Sequence, residues 1–157
     1  MTFVAVTSLV TERLSPEEAL SRRASALRDD VRRELLRAAS DGKTVTYGLL
    51  MRKFRISRGA PGGKGIVGVI GEIDRHEARK GAPGFAAMVV RKDTGFPGGG
   101  FFTWEGLPSG LRRPKREGSN PRLSDAERRF IKNQQEEIWS YYKGARRRVG
   151  TTDDSPK

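Results

Sequence analysis

The side chains best suited to bond-breaking chemistry fall in one short run, Glu72, Asp74, His76 and Glu77. Carboxylates beside a histidine can gather a divalent cation and activate a water for phosphodiester hydrolysis. Glu72 and His76 stand four residues apart, which on a helix places them on one face. The same run also suits a solvated helix side, with Arg75, Arg79 and Lys80 as ion-pair partners. Asp93 and Glu105 join such a site only if folding brings them near. Other catalytic constellations are incomplete. The chain has no cysteine, which excludes a disulfide framework, a thiolate zinc site and a thiol nucleophile. His76 is its one histidine, so a multi-histidine metal site is excluded. A Ser-His-Asp hydrolase lacks a serine in a nucleophile elbow. Gly59 to Lys64 is glycine-rich, but Gly65 follows Lys64 where a phosphate-cradling P-loop needs Ser or Thr. No cofactor is implied.

The second chemistry open to this sequence is binding a polyanion. Among 157 residues, 31 are Lys or Arg and 19 are Asp or Glu, a net charge of +12. The excess is uneven. Residues 1–40 carry seven basic and six acidic side chains, residues 41–104 eleven and five, and residues 105–157 thirteen and eight. A balanced first segment followed by a basic middle and tail reads as a face directed at nucleic acid. The candidate contacts are Arg52, Lys53, Arg55, Arg58, Lys64, Arg91, Lys92, Arg112, Arg113, Lys115 and Arg116. They are interspersed with Gly and Pro rather than set on an amphipathic membrane-binding helix, so no membrane partner is expected.

These groups need elements to hold them. Ser15-Pro16-Glu17-Glu18 is a capping box with Pro at the first helical position. Leu20, Ala24, Leu27, Val31, Leu35 and Ala38 then recur in steps of three and four, predicting one long supporting helix that ends at Asp41-Gly42. Thr46 is a plausible N-cap for a short helix over 47–54, with Leu49, Leu50 and Phe54 inward. A Gly/Pro loop over 57–63 leads to a helix from Lys64 to about Lys80, with Ile66, Val69, Ile70 and Ile73 as its apolar stripe. Gly68 and Gly71 on that helix read as close-packing positions. Residues 85–91 read as a strand, Asp93-Thr94-Gly95 as a turn and 101–104 as a second strand, a hairpin with a glycine-rich tip. Two short helices followed by a hairpin is the order of a winged helix-turn-helix.

The last helix opens at a second capping box, Ser124 with Glu127. Phe130, Gln134, Ile138 and Tyr142 lie on one side, Ile131, Trp139 and Tyr141 widen it, and Gly144 can cap it. This helix is expected to pack on the first. The fold class is α+β, mainly helical: a winged helix-turn-helix core with a long supporting N-terminal helix and a C-terminal helix. The expected divisions are an arm over 1–14, a winged-helix-like domain over 15–104 and a basic Gly/Pro-rich linker over 105–123. The C-terminal helix over 124–144 and a disordered tail over 145–157 follow.

Residues 30 to 104 resemble the DNA-binding domain of the O6-alkylguanine DNA alkyltransferase family and its alkyltransferase-like relatives. A helix leads to Thr46-Tyr47-Gly48, a Gly/Pro loop precedes a helix with Val67-Gly68, and an apolar segment ends in Val89-Val90 before the turn Asp93-Thr94-Gly95. The resemblance implies a winged-helix DNA-binding shape, with Tyr47 matching the family's tyrosine. The family's Pro-Cys-His-Arg run falls near Phe85-Ala86-Ala87-Met88, and its arginine finger falls near Gly65, where only Lys64 is adjacent. With no thiol, alkyl transfer is excluded.

The resulting expectation is a non-covalent DNA-binding protein that docks on duplex DNA, modified or damaged duplex included, mainly through phosphate contacts. The helix from Lys64 would present unpaired N–H groups and its dipole to a phosphate. The alternatives are a metal-dependent DNA endonuclease on the same scaffold, using Glu72, Asp74, His76 and Glu77, and a basic RNA- or ribosome-associated protein. A protein partner at the last helix is a further option. The segment at the start lacks a basic n-region, and no apolar run reaches membrane-spanning length, so a cytoplasmic, nucleoid-associated prokaryotic protein is expected.

Overall fold

Three of the helices begin at side-chain caps written into the local sequence. Ser15 Oγ accepts the Glu18 N–H at 3.2 Å while Glu18 Oε2 accepts the Ser15 N–H at 2.8 Å, and α1 runs over Pro16–Ser40. Thr46 Oγ1 accepts the Leu49 N–H at 3.2 Å and opens α2, Tyr47–Phe54. Ser124 and Glu127 repeat the reciprocal box at 3.2 and 2.9 Å and open α4, Asp125–Gly150. Each cap satisfies amide donors that a helix start leaves unpaired. The remaining long helix, α3 over Ile66–Arg79, has no side-chain cap. The computed structural model describes residues 13–59, 65–98, 101, 110 and 122–150, with 145–150 as backbone.

The chain is mainly helical with one small parallel pair of strands. β1 is Val45–Thr46 and β2 is Val89–Val90, in register Val45 to Val89 and Thr46 to Val90. A short 3-10 helix, Ala86–Met88, leads into β2. The core gathers Val31, Leu35 and Ala39 of α1, Leu50 of α2, Ile66, Ile70 and Ile73 of α3, and Ile138 and Tyr142 of α4 around Phe85, Ala87, Met88 and Val89. Phe85 stacks on Tyr142 with ring centroids 4.8 Å apart. α4 packs on α1. Polar bonds also fix it: Gln135 Nε2 donates to the Ala87 carbonyl at 3.0 Å and Trp139 Nε1 to the Lys43 carbonyl at 3.3 Å.

A buried ion pair ties the helices together. Arg32 Nε of α1 donates to Glu77 Oε1 of α3, and Glu77 is 1% exposed. The Tyr142 hydroxyl of α4 lies 3.2 Å from Glu77 Oε2 and 2.9 Å from the Pro83 carbonyl. Burial alone would push the Glu77 carboxyl up. The Arg32 guanidinium, with Lys80 and the Tyr142 hydroxyl, holds it below the ordinary carboxylate range instead.

Several sequence expectations change here. Residues 85–91 do not form one continuous strand. Asp74 of α3 accepts the N–H groups of Phe85 at 2.6 Å and Ala86 at 3.2 Å, drawing the segment into a 3-10 turn, and only Val89–Val90 extend, against β1. Of the expected second strand, Phe101 packs against the core and its N–H bonds the Gly98 carbonyl at 3.0 Å; residues 102–104 lie outside the described residues. The first turns of α1 are less covered than the apolar stripe implied, with Leu20 64% exposed. Leu49, expected inward, is exposed. Gly68 is buried, but a Cβ on Gly71 would meet nothing within 4 Å, so packing does not require glycine there. Gly144 does not end the last helix, which continues through 145–150, part of the expected tail. No helix among the described residues is long and apolar enough to cross a membrane.

Candidate nucleic-acid interface

The parallel register creates the site. Because Thr46 lies opposite Val90, the next residues, Tyr47 and Arg91, leave the strand pair side by side. Tyr47 starts α2 and Arg91 starts a tight turn. That turn is closed by Gly95 N–H to the Arg91 carbonyl at 2.9 Å and Arg91 N–H to the Phe96 carbonyl at 2.9 Å. Gly95 takes φ +71°, a conformation glycine adopts without a side-chain clash. Between the two elements lies an open cleft of about 260 Å³, lined by Tyr47, Gly48, Met51, Arg58, Val90, Arg91, Lys92 and Asp93.

The connection between α2 and α3 supplies the second cation. Ser57 and Arg58 carbonyls accept the N–H groups of Ile66 at 2.8 Å and Val67 at 3.4 Å. Gly59 and Gly65 stand backbone against backbone, so a Cβ on either would land on the other. This neck holds Arg58 beside the cleft. It also corrects the expected role of the helix start: the first two amides of α3 are bonded within the chain rather than open to a phosphate.

Tyr47 lines the cleft and packs against the core edge. Its hydroxyl accepts the Gly98 N–H at 3.5 Å. Burial raises its pKa above the ordinary phenol value, against the Gly98 bond and the charges of Arg58 and Arg91. Arg91 grips Asp93 with two bonds, Nε to Oδ1 at 2.9 Å and Nη2 to Oδ2 at 2.6 Å. The hydrogen-bonded Asp93 raises the Arg91 pKa, and the guanidinium lowers that of Asp93.

Four of the expected contact residues, Tyr47, Arg58, Arg91 and Lys92, therefore meet at one place. Arg52 joins them at the edge, with Nη1 3.6 Å from where a Gly48 Cβ would stand. Arg55 follows α2 as its C-cap, exposed and left-handed at φ +53°. Lys53 turns elsewhere, pairing with Glu34 of α1 at 2.6 Å. Lys64, Arg112, Arg113, Lys115 and Arg116 lie outside the described residues. Asp93, a turn residue and a conditional member of the acidic site in the sequence, pairs instead with Arg91. Gly48 and Met51 carried no charge to mark them.

The acidic run of the endonuclease alternative does not gather into a metal site. Glu72 faces Arg28 of α1 at 4.0 Å, His76 is exposed, Glu77 is buried against Arg32, and Asp74 caps the 3-10 helix. Among the described residues no three His, Asp or Glu side chains gather to hold a metal ion. Asp74 is enclosed tightly enough that a Cβ on Gly84 would strike its carboxyl group. Burial raises its pKa to about 6, despite the two backbone N–H bonds. The chain matches no protein-family model, no curated protein and no solved structure.

Proposed function

We propose that this chain is a non-covalent DNA-binding protein that docks α2 and α3, as a winged-helix-type unit, on duplex DNA through phosphate contacts. The observation that carries the reading is the convergence of Arg58, Arg91 and Lys92 around Tyr47, with Arg52 at the cleft edge and the exposed Arg55 capping the end of α2. Polycationic rims of this kind bind phosphates and position a protein without reading sequence. The first six residues of α3, Ile66 to Gly71, carry no hydrogen-bonding side chain. Donors and acceptors that read base edges in the major groove are thus missing from that half of the helix. Affinity then comes from the flanks and is largely sequence-independent.

The resemblance to the alkyltransferase family supports the same docking and excludes its chemistry. Phe85, Ala87 and Met88, where that family carries its reactive run, are buried in the core, with Phe85 under Tyr142. The chain has no cysteine to accept an alkyl group.

The test is salt-dependent binding of the purified full chain to duplex DNA, single-stranded DNA and RNA, with and without Mg²⁺, followed by inspection of the recovered nucleic acid for cuts. Intact duplex bound in preference, with a log affinity against log salt slope of about −5 or steeper, supports the reading. Neutralising Arg58, Arg91 and Lys92 together should flatten that slope by about 2 to 3. RNA preference, cleavage, or no binding at low salt overturns it.

A further inference from the structure

The cleft holds a feature that works against an anion receptor: a carboxylate already seated in its arginine fork. Asp93 meets Arg91 through both oxygens, the bidentate geometry that a phosphate adopts on a guanidinium. The turn enforces this meeting. Gly95 N–H and Arg91 N–H close it onto the Arg91 and Phe96 carbonyls, and Thr94 Oγ1 accepts the Phe96 N–H at 3.2 Å. Arg91 is 21% exposed at its side chain while Asp93 is 57% exposed. The carboxylate is therefore the outer partner, able to swing into water while the guanidinium stays at the cleft wall. Arg58 and Lys92 line the same cleft, so a phosphate arriving there gains further cations that Asp93 alone does not engage.

We propose that Asp93 is an internal phosphate mimic, a latch that occupies the Arg91 fork in the free protein and is displaced by a backbone phosphate of the bound duplex. This rests on the DNA-binding reading and adds a regulatory residue to it. The latch weakens contact with isolated or weakly anionic groups and yields to phosphates that can engage Arg58 and Lys92 together. Selectivity for dense polyphosphate surfaces follows from competition, not from base contacts.

A double-mutant cycle tests it. Asp93→Asn keeps the side-chain shape and removes the charge. It should tighten duplex binding about three- to five-fold, the scale of an exposed bidentate pair. The gain should vanish in an Arg91→Gln background, where no fork remains to release, and persist in an Arg58→Gln background. Equal gains in all backgrounds would mean that Asp93 acts only through net charge, and the latch falls. Weaker binding by Asp93→Asn would mean that the pair positions Arg91, and the latch falls again. Circular dichroism and thermal melts of each variant show that the fold is retained.

A second probe separates the latch from the DNA reading. Inorganic tripolyphosphate is titrated against each protein while the Arg91 Nε–H resonance is followed. A shift at lower concentration in Asp93→Asn than in the wild type supports the latch even if neither protein binds duplex, in which case the DNA reading alone fails. The same concentration dependence in both proteins overturns the latch.

Discussion

Thr46 and Val90 are parallel partners, and the two residues that follow them, Tyr47 and Arg91, open opposite sides of one cleft. Thr46 has a second duty, since its Oγ1 caps α2 through the Leu49 N–H at 3.2 Å. Strand pairing and helix start thus meet at one residue, the first through its backbone and the second through its side chain. Thr46→Val keeps the β-branched shape and removes the cap. It should cost about 1 kcal/mol in urea unfolding. It should also weaken duplex binding more than a surface change of equal cost, because α2 carries Tyr47 and Arg52 and ends at Arg55. A stability loss with unchanged binding would separate the helix start from the interface.

What was legible in the sequence was what is local. Capping boxes span four residues, so the starts of α1 and α4 could be read directly from Ser15 with Glu18 and from Ser124 with Glu127. The pairing of Val45 with Val89 was not legible, because two-residue strands leave no periodicity and their partners lie far apart in the chain. The apolar, β-branched run at 85–91 looked like a longer strand because nothing local reveals that Asp74, eleven residues earlier, takes the Phe85 amide. The same limit explains the site. Tyr47, Arg58, Arg91 and Lys92 could be named as cations and a motif tyrosine, yet only the fold shows that they share a cleft. It also shows that Lys53 spends its charge on Glu34, nineteen residues away.

Arg55 occupies a position that glycine would fill at lower cost. It caps the end of α2 at φ +53°, and a left-handed L-residue costs about 1 kcal/mol relative to glycine. Arg55→Gly should raise stability by up to about 1 kcal/mol while lowering duplex affinity and the salt slope by about 1. Chemical denaturation and salt titration of the same sample check both. Unchanged binding would remove Arg55 from the interface.

The Arg32–Glu77 pair stabilises α1 against α3 in an asymmetric way. Glu77 is 2% exposed at its side chain and Arg32 is 31% exposed. Arg32→Met leaves a carboxylate buried with Tyr142 and the more exposed Lys80, and should cost about 3 kcal/mol. Glu77→Met leaves a guanidinium that water can reach, and should cost less. The double variant, with neither charge, should be more stable than the sum of the single changes by more than about 1 kcal/mol. Urea midpoints of the four proteins close the cycle. Strict additivity would show that the pair contributes no coupling.

The Asp74 and Glu77 carboxyls are shifted in opposite directions although they stand three residues apart on α3. The Glu77 carboxyl is held below its ordinary value, so its contribution is present above that value and is lost as pH falls through the lowered one. Asp74 is raised from 3.8 to about 6, so the native state binds the extra proton between those values. Its contribution is full below the unfolded value and is lost as pH rises through about 6. A shift of this size corresponds to roughly 3 kcal/mol. Asp74→Asn removes that titration. It keeps one acceptor for the Phe85 N–H but turns an amide donor toward the Ala86 N–H, at a cost of about 1 to 3 kcal/mol. The stability gap between wild type and variant should therefore be widest below about pH 4 and should narrow by about 2 kcal/mol between pH 4.5 and pH 7.5. Urea unfolding of both proteins at the two pH values measures the gap. A gap that stays constant would show that the Asp74 carboxyl is ionised throughout, held by its two backbone amides more firmly than burial opposes it.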